Sequence, residues 1–210
     1  VIYDLTPPID RDLKVFPGDT PPEREVLLDM EAGAHLTLST LRTTVHVGAH
    51  ADAPSHYGRG ADPIDVRPLD LYLGPCQVLR IAARRGALLG PEHLEGTSIA
   101  APRVLLATGT FPDPTVFNED FAALSPALVD HLHERGTRLV GVDTPSLDPC
   151  HSKDLPAHQA CLRHDMGILE GLLLAHVPEG IYELIALPLR IAGADGSPVR
   201  AILRDLPRPG

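Results

Sequence analysis

The run His46-Val-Gly-Ala-His50-Ala-Asp52-Ala-Pro-Ser-His56 limits the folds open to this chain more than any other feature. Three imidazoles and one carboxylate fall within eleven residues, all at even positions, with mostly small or apolar residues between them. Imidazole nitrogen and carboxylate oxygen are donors that borderline-soft divalent ions such as zinc accept. A helix is disfavoured, because Gly48 and Pro54 weaken it and Pro54 pushes Ala53 out of the α region. In an extended strand all four side chains share one face. A flat strand, however, places His46 and Asp52 roughly 20 Å apart at about 3.3 Å per residue. Ligands of one zinc each lie about 2 Å from it. The chain must therefore fold back, with Gly48 as the turn, and the segment is expected to be a bent strand end or loop rather than a regular element. Three ligands from one short segment leave room for water and a second ion, the open arrangement that hydrolytic sites need.

Elsewhere strand signals dominate. Residues 35–46 alternate loosely and carry many β-branched side chains, and 76–82, 104–108, 138–143, 182–189 and 199–203 are short apolar runs bounded by Gly, Pro or charge. Ser125-Pro126 predicts a helix start, with Leu128, Val129 and Leu132 as its apolar face and Gly136 as its stop. A second helical stretch is predicted from about Pro156 towards His176, and a weaker helical turn at 91–94. No repeat or linker divides the chain, and 210 residues suit one domain. The expected class is mixed α/β over residues 1–210, with sheets packed on each other and on one helical layer.

Composition removes several functions. A net charge of −10 argues against a nucleic-acid surface, which needs a basic stripe. Cys76, Cys150 and Cys161 are odd in number and widely spaced, which argues against a disulfide framework and for a reducing cytoplasm. The apolar stretches 168–176 and 181–189 fall short of the ~20 residues of a membrane-spanning helix, and nothing at the N-terminus reads as a signal peptide.

Ligands beyond the first run are less legible. His158 and Glu170 stand at the two ends of the second helical stretch, about 18 Å apart if that helix is unbroken. On the residues alone they read as an exposed helix face, although Asp165-Met166-Gly167 offers a break that would bring them together. A satisfied structural network or a structural zinc are the bland alternatives at His46, His50 and Asp52, and a surface position or a fifth metal ligand are those at His56. The remaining histidines read as ordinary surface or helix residues.

The pattern His46-x-Gly-x-His50-x-Asp52-x-Pro54-x-His56 resembles the signature of the cyclase-like metal-dependent amidohydrolases. Asp4-Leu-Thr-Pro-Pro-Ile-Asp10, Val15-Phe-Pro-Gly-Asp-Thr-Pro21, Asp143-Thr-Pro-Ser-Leu-Asp148 and the C-terminal strands are similar to the bacterial kynurenine formamidase branch of that family, in its order and spacing. The resemblance implies a layered β/β/α arrangement with a barrel-like mixed sheet, of the swivelling β/β/α type, in a homodimer. It implies two divalent ions per subunit, zinc or alternatively manganese. His46, His50 and Asp52 would hold one, and Asp52 would be shared with a second held by His158 and Glu170. His56 matches the family's proton donor and acceptor. Two positions depart from the pattern. Ala49 stands where the wider family often has Thr, and Phe16 where formamidases commonly carry Trp against the substrate ring. Phe keeps a π face but loses area and the indole donor.

The implied reaction is hydrolysis of N-formyl-L-kynurenine to L-kynurenine and formate, a step of tryptophan degradation. The rival readings are a related enzyme opening isatin or another cyclic amide, a non-catalytic metal-dependent ligand binder, and a structural or interaction protein.

Overall fold

The architecture is described for residues 1–206 of a computed structural model. Its strands are β1 (Ile2–Asp4), β2 (Glu23–Leu28), β3 (Leu38–Arg42), β4 (His50–Asp52), β5 (Leu73–Arg80), β6 (Leu88–Leu89), β7 (Arg103–Ala107), β8 (Ala123–Leu124), β9 (Leu139–Val142), β10 (Gly167–Glu170), β11 (Gly180–Ile185), β12 (Gly196–Pro198) and β13 (Ile202–Asp205). Three α-helical segments are α1 (Pro54–Tyr57), α2 (Pro126–Glu134) and α3 (Pro156–Arg163). Among the described residues, nine strands join in one strongly curled sheet of order β1-β13-β11-β5-β7-β9-β10-β4-β12. The central run β5-β7-β9-β10 is parallel and both flanks are antiparallel. Parallel neighbours need crossovers, which α2 supplies before β9 and α3 between β9 and β10.

Both faces of the central strands are covered, which is why their sequences read as unbroken apolar runs. Val78, Leu105, Leu139 and Leu169 point into one core, with Tyr72, Tyr182 and Leu203. Their neighbours Leu79, Val104, Leu106, Val140 and Ile168 point into the other, against Leu128, Val129 and Leu132 of α2 and Ala157, Ala160 and Cys161 of α3. Each fully buried leucine or valine contributes about 1.5–3 kcal/mol relative to exposure. The sequence cue at α2 holds: Ser125 Oγ accepts the Leu128 N–H at 3.2 Å, and Pro126 opens the helix.

Three segment expectations need correction. The second helical stretch stops at Arg163; Asp165 adopts a left-handed conformation (φ 50°), and Gly167–Glu170 is a strand. Ile168 and Leu169 are buried on opposite sides of the sheet, and a short continuous apolar run of this kind fits a buried strand as well as a helix. Within 35–46 only Leu38–Arg42 is a strand, and it forms with β2 an exposed hairpin outside the main sheet. The final strand begins at Ile202 rather than 199. No helix of the described residues is long and apolar enough to cross a membrane.

The same break after α3 sets up the site. It returns the chain as β10 beside β4, with Glu170 opposite His50 and Ile168 opposite Asp52.

Candidate metal centre

Gly48 sits at φ +56° and turns the chain, so that His46 folds back onto Asp52, with His46 Nδ1 2.9 Å from Asp52 Oδ1. His50 and Asp52 then share a face of β4, as alternation requires. The expectation of no regular element is corrected here. His50–Asp52 is a buried strand because β10 and β12 flank it on both sides, and α1 follows at once and carries His56. Pairing on both edges satisfies the buried backbone groups of β4.

His158 enters from the first turn of α3, and its placement depends on Asp148. That buried carboxylate accepts the backbone N–H groups of Ala157 (2.9 Å) and His158 (3.1 Å), and the His158 ring at Nδ1 (2.7 Å). His158 is 2% exposed and Glu170 3%, so the exposed-face reading of these two residues is overturned. His158 Nε2 lies 3.2 Å from Asp52 Oδ2 and 3.3 Å from Glu170 Oε1, while His50 Nε2 lies 3.4 Å from both Asp52 Oδ1 and Glu170 Oε2.

These spacings suit a divalent ion. Four donors at about 2.0–2.1 Å in tetrahedral geometry stand about 3.3 Å from one another. Asp52 and Glu170 are buried, and among the described residues their ion-pair partners are histidines, with no lysine or arginine within reach. Two buried carboxylates side by side demand positive charge. Burial alone would lower the His50 ring, yet its hydrogen bonds to Asp52 and Glu170 raise it to about 10. Burial would likewise lower His158, but Asp148, Asp52 and Glu170 hold it well above the usual imidazole value. Burial would raise Asp52, but hydrogen bonds from His158, His46 and His50 keep it well below the usual carboxylate range. The donor set thus fits a cationic occupant in both chemistry and spacing.

The cluster opens onto a cavity of about 360 Å³, within the range of small-molecule sites. His46, His50, His56, His158 and Glu170 line it, as does Phe16, whose ring makes an edge-on contact with Phe117 at 5.6 Å. His56 is partly exposed at the mouth, with its ring 4.2 Å from that of His46. Two residues here escaped sequence reasoning. Asp195 Oδ2 lies 2.9 Å from His46 Nε2 and 3.3 Å from His56 Nδ1, so one carboxylate oxygen serves both rings. Asp148 is the other. A ligating histidine is expected to have such a partner at its second nitrogen, but spacing does not say which of the 28 acidic residues supplies it.

The family model for putative cyclases matches residues 3–149. A kynurenine formamidase of Bordetella petrii is 47% identical over 206 residues, which is 98% of each chain, and that of Bordetella pertussis is 45% identical over the same share. Among solved structures, a potential metal-dependent hydrolase with cyclase activity superposes with TM-score 0.84 at 27% identity, covering 97% of this chain and 96% of the other. Isatin hydrolase A from Labrenzia aggregata shares the fold, with TM-score 0.82 at 23% identity over 97% and 93% of the two chains. A buried histidine and carboxylate cluster, a curled mixed sheet and end-to-end similarity agree: the chain belongs to the cyclase family of metal-dependent hydrolases, alongside its kynurenine formamidases.

Proposed function

We propose that this protein hydrolyses N-formyl-L-kynurenine to L-kynurenine and formate in tryptophan degradation, with His46, His50, Asp52, His158 and Glu170 holding two divalent ions. Zinc suits the imidazole-rich set, and manganese is the alternative that the carboxylates admit. The observation that carries this reading is the five-donor cluster, four of its members buried, facing a cavity with an aromatic wall, in a chain 47% identical to a curated kynurenine formamidase along 98% of its length. Family likeness adds the expectations of one domain, a homodimer and a cytoplasmic location.

Divalent ions at this position supply Lewis acidity, polarising a carbonyl and acidifying water. The chain's own groups prepare the site for them. The two oxygens of Asp52 face different rings, Oδ1 towards His46 and His50 and Oδ2 towards His158, so one carboxylate spans both donor sets. The His50 Nδ1–H donates to Gly48 O at 2.9 Å and the His158 Nδ1–H to Asp148, which fixes both tautomers with Nε2 as the ligating atom. Phe16 offers a π face to the aryl ring. The leaving group is an aryl amine whose anion is too basic to depart unprotonated. A proton must reach that nitrogen as the C–N bond breaks, and His56, held through Nδ1 by Asp195, delivers it from Nε2.

The test is hydrolysis by metal-reconstituted protein, with N-formyl-L-kynurenine and isatin assayed side by side. Faster turnover of the formamide supports the reading; turnover of isatin alone, or of neither, refutes it. His56→Ala is expected to keep its ion content and lose at least about 100-fold in kcat, the usual share of a general acid or base.

A further inference from the structure

We infer that Lys14 and Asp19 form the subsite for the zwitterionic amino-acid head of the substrate, Lys14 receiving its α-carboxylate and Asp19 its α-ammonium. This rests on the substrate reading above and names the residues that would select it over headless aryl amides.

The cavity narrows the choice. Apart from the donor cluster and Asp195, its charged lining side chains are Lys14, Asp19 and Asp143. Asp143 is buried and committed, accepting the Thr108 and Gly109 backbone N–H groups and the Thr108 hydroxyl. Lys14 is the lysine or arginine of the lining, and it forms no ion pair among the described residues. The Asp19 side chain accepts one hydrogen bond among the described residues, a long one from the Thr44 hydroxyl at 3.5 Å. Both are exposed and free to meet a ligand. Arg42, Arg59 and Arg190, the cations that sequence leaves as conceivable carboxylate partners, do not line the cavity.

Lys14, Phe16 and Asp19 lie within six residues of one another on a single segment of the cavity lining, so a cation and an anion border the same part of the wall as the aromatic ring. That segment is pinned by the Lys14 N–H to Pro114 O (2.9 Å), the Asp19 N–H to Phe16 O (3.0 Å) and the contact of Phe16 with Phe117. The backbone that carries the two charged side chains is therefore set before a ligand arrives, which lowers the ordering cost of binding. N-formyl-L-kynurenine has a formamide on an aryl ring and, on a short arm, an α-carboxylate and an α-ammonium, both charged at neutral pH. In a chain of net charge −10 with buried carboxylates at the cavity floor, a free carboxylate needs a local cation, and this lining provides one.

The experiment compares kcat/KM of the metal-loaded protein for N-formyl-L-kynurenine and for 2-formamidoacetophenone, which keeps the aryl ketone and formamide but lacks the head. The ratio of the two constants isolates recognition of the head from folding, metal content and chemistry. Lys14→Ala and Asp19→Asn are expected to lower that ratio about tenfold, mainly through KM, as loss of one charge-assisted contact does. Lys14→Glu should lower it further, and Lys14→Arg should restore it. A ratio within about twofold of wild type in Lys14→Glu overturns the assignment. Wild-type protein that hydrolyses neither compound overturns the substrate reading and this subsite with it, an outcome distinct from intact turnover with an unmoved ratio.

Discussion

Gly171→Ala tests how the metal centre is held together. Gly171 follows Glu170 at φ +66°, and a Cβ added there would stand 2.2 Å from Gly48 O and 2.9 Å from Gly48 C. The obstacle is backbone, so no side chain can swing aside. A left-handed conformation costs a non-glycine residue about 1–2 kcal/mol. Overpacking adds about 1–3 kcal/mol. The expected destabilisation is therefore about 2–5 kcal/mol. Relief requires Gly48 O to retreat, and that oxygen accepts the His50 Nδ1–H, so His50 should lose its orientation and zinc affinity should fall as well. Gly60→Ala is the control: φ is +72° with nothing within 4 Å of the new Cβ, so it carries the conformational cost alone. Urea unfolding of both variants in chelator, followed by calorimetric zinc titration, measures the two effects. Equal losses in the two variants, with zinc affinity unchanged in Gly171→Ala, would refute the account of the site as a close-packed crossing of β10 with the Gly48 turn.

Other outcomes follow from the same geometry. Asp148→Asn should weaken zinc binding about 10–100-fold, because an amide cannot accept from Ala157 N–H, His158 N–H and His158 Nδ1–H together; competition with a chromogenic chelator reads this, and unchanged affinity counts against it. Asp195→Ala, assayed at saturating zinc, should lower kcat about tenfold with the fold intact by circular dichroism, since His56 loses the acceptor that orients it. In chelator-treated protein the His50 ring, raised to about 10, contributes stability that is complete below its unfolded value near 6.5 and lost as pH rises towards 10; urea midpoints across that window should fall with pH, and a rise would contradict the assignment. Zinc uptake should accordingly release protons, seen as a calorimetric enthalpy that changes with the ionisation heat of the buffer.

What the sequence determined by itself is local. Even spacing of His50 and Asp52 assigns them to one face of a strand, Gly48 marks the turn that returns His46, and Ser125-Pro126 opens α2, because each depends on backbone geometry within a few residues. The family resemblance, not the local pattern, implied that His158 and Glu170 belong with the first three residues, and the fold brings them beside Asp52 and His50. Tertiary structure decided the rest. His158 meets Asp52 across 106 residues and Asp195 meets His46 across 149, and no periodicity encodes such distances. They arise because β10 pairs with β4 in one register, setting Glu170 opposite His50, and because β12 closes the other edge and brings Asp195 to the cavity. Lys14 and Asp19 likewise acquire meaning only once folding carries their segment to the cavity wall. Strand pairing is chosen by burial of both sheet faces at once, a property of the assembled core that no single segment of the chain contains.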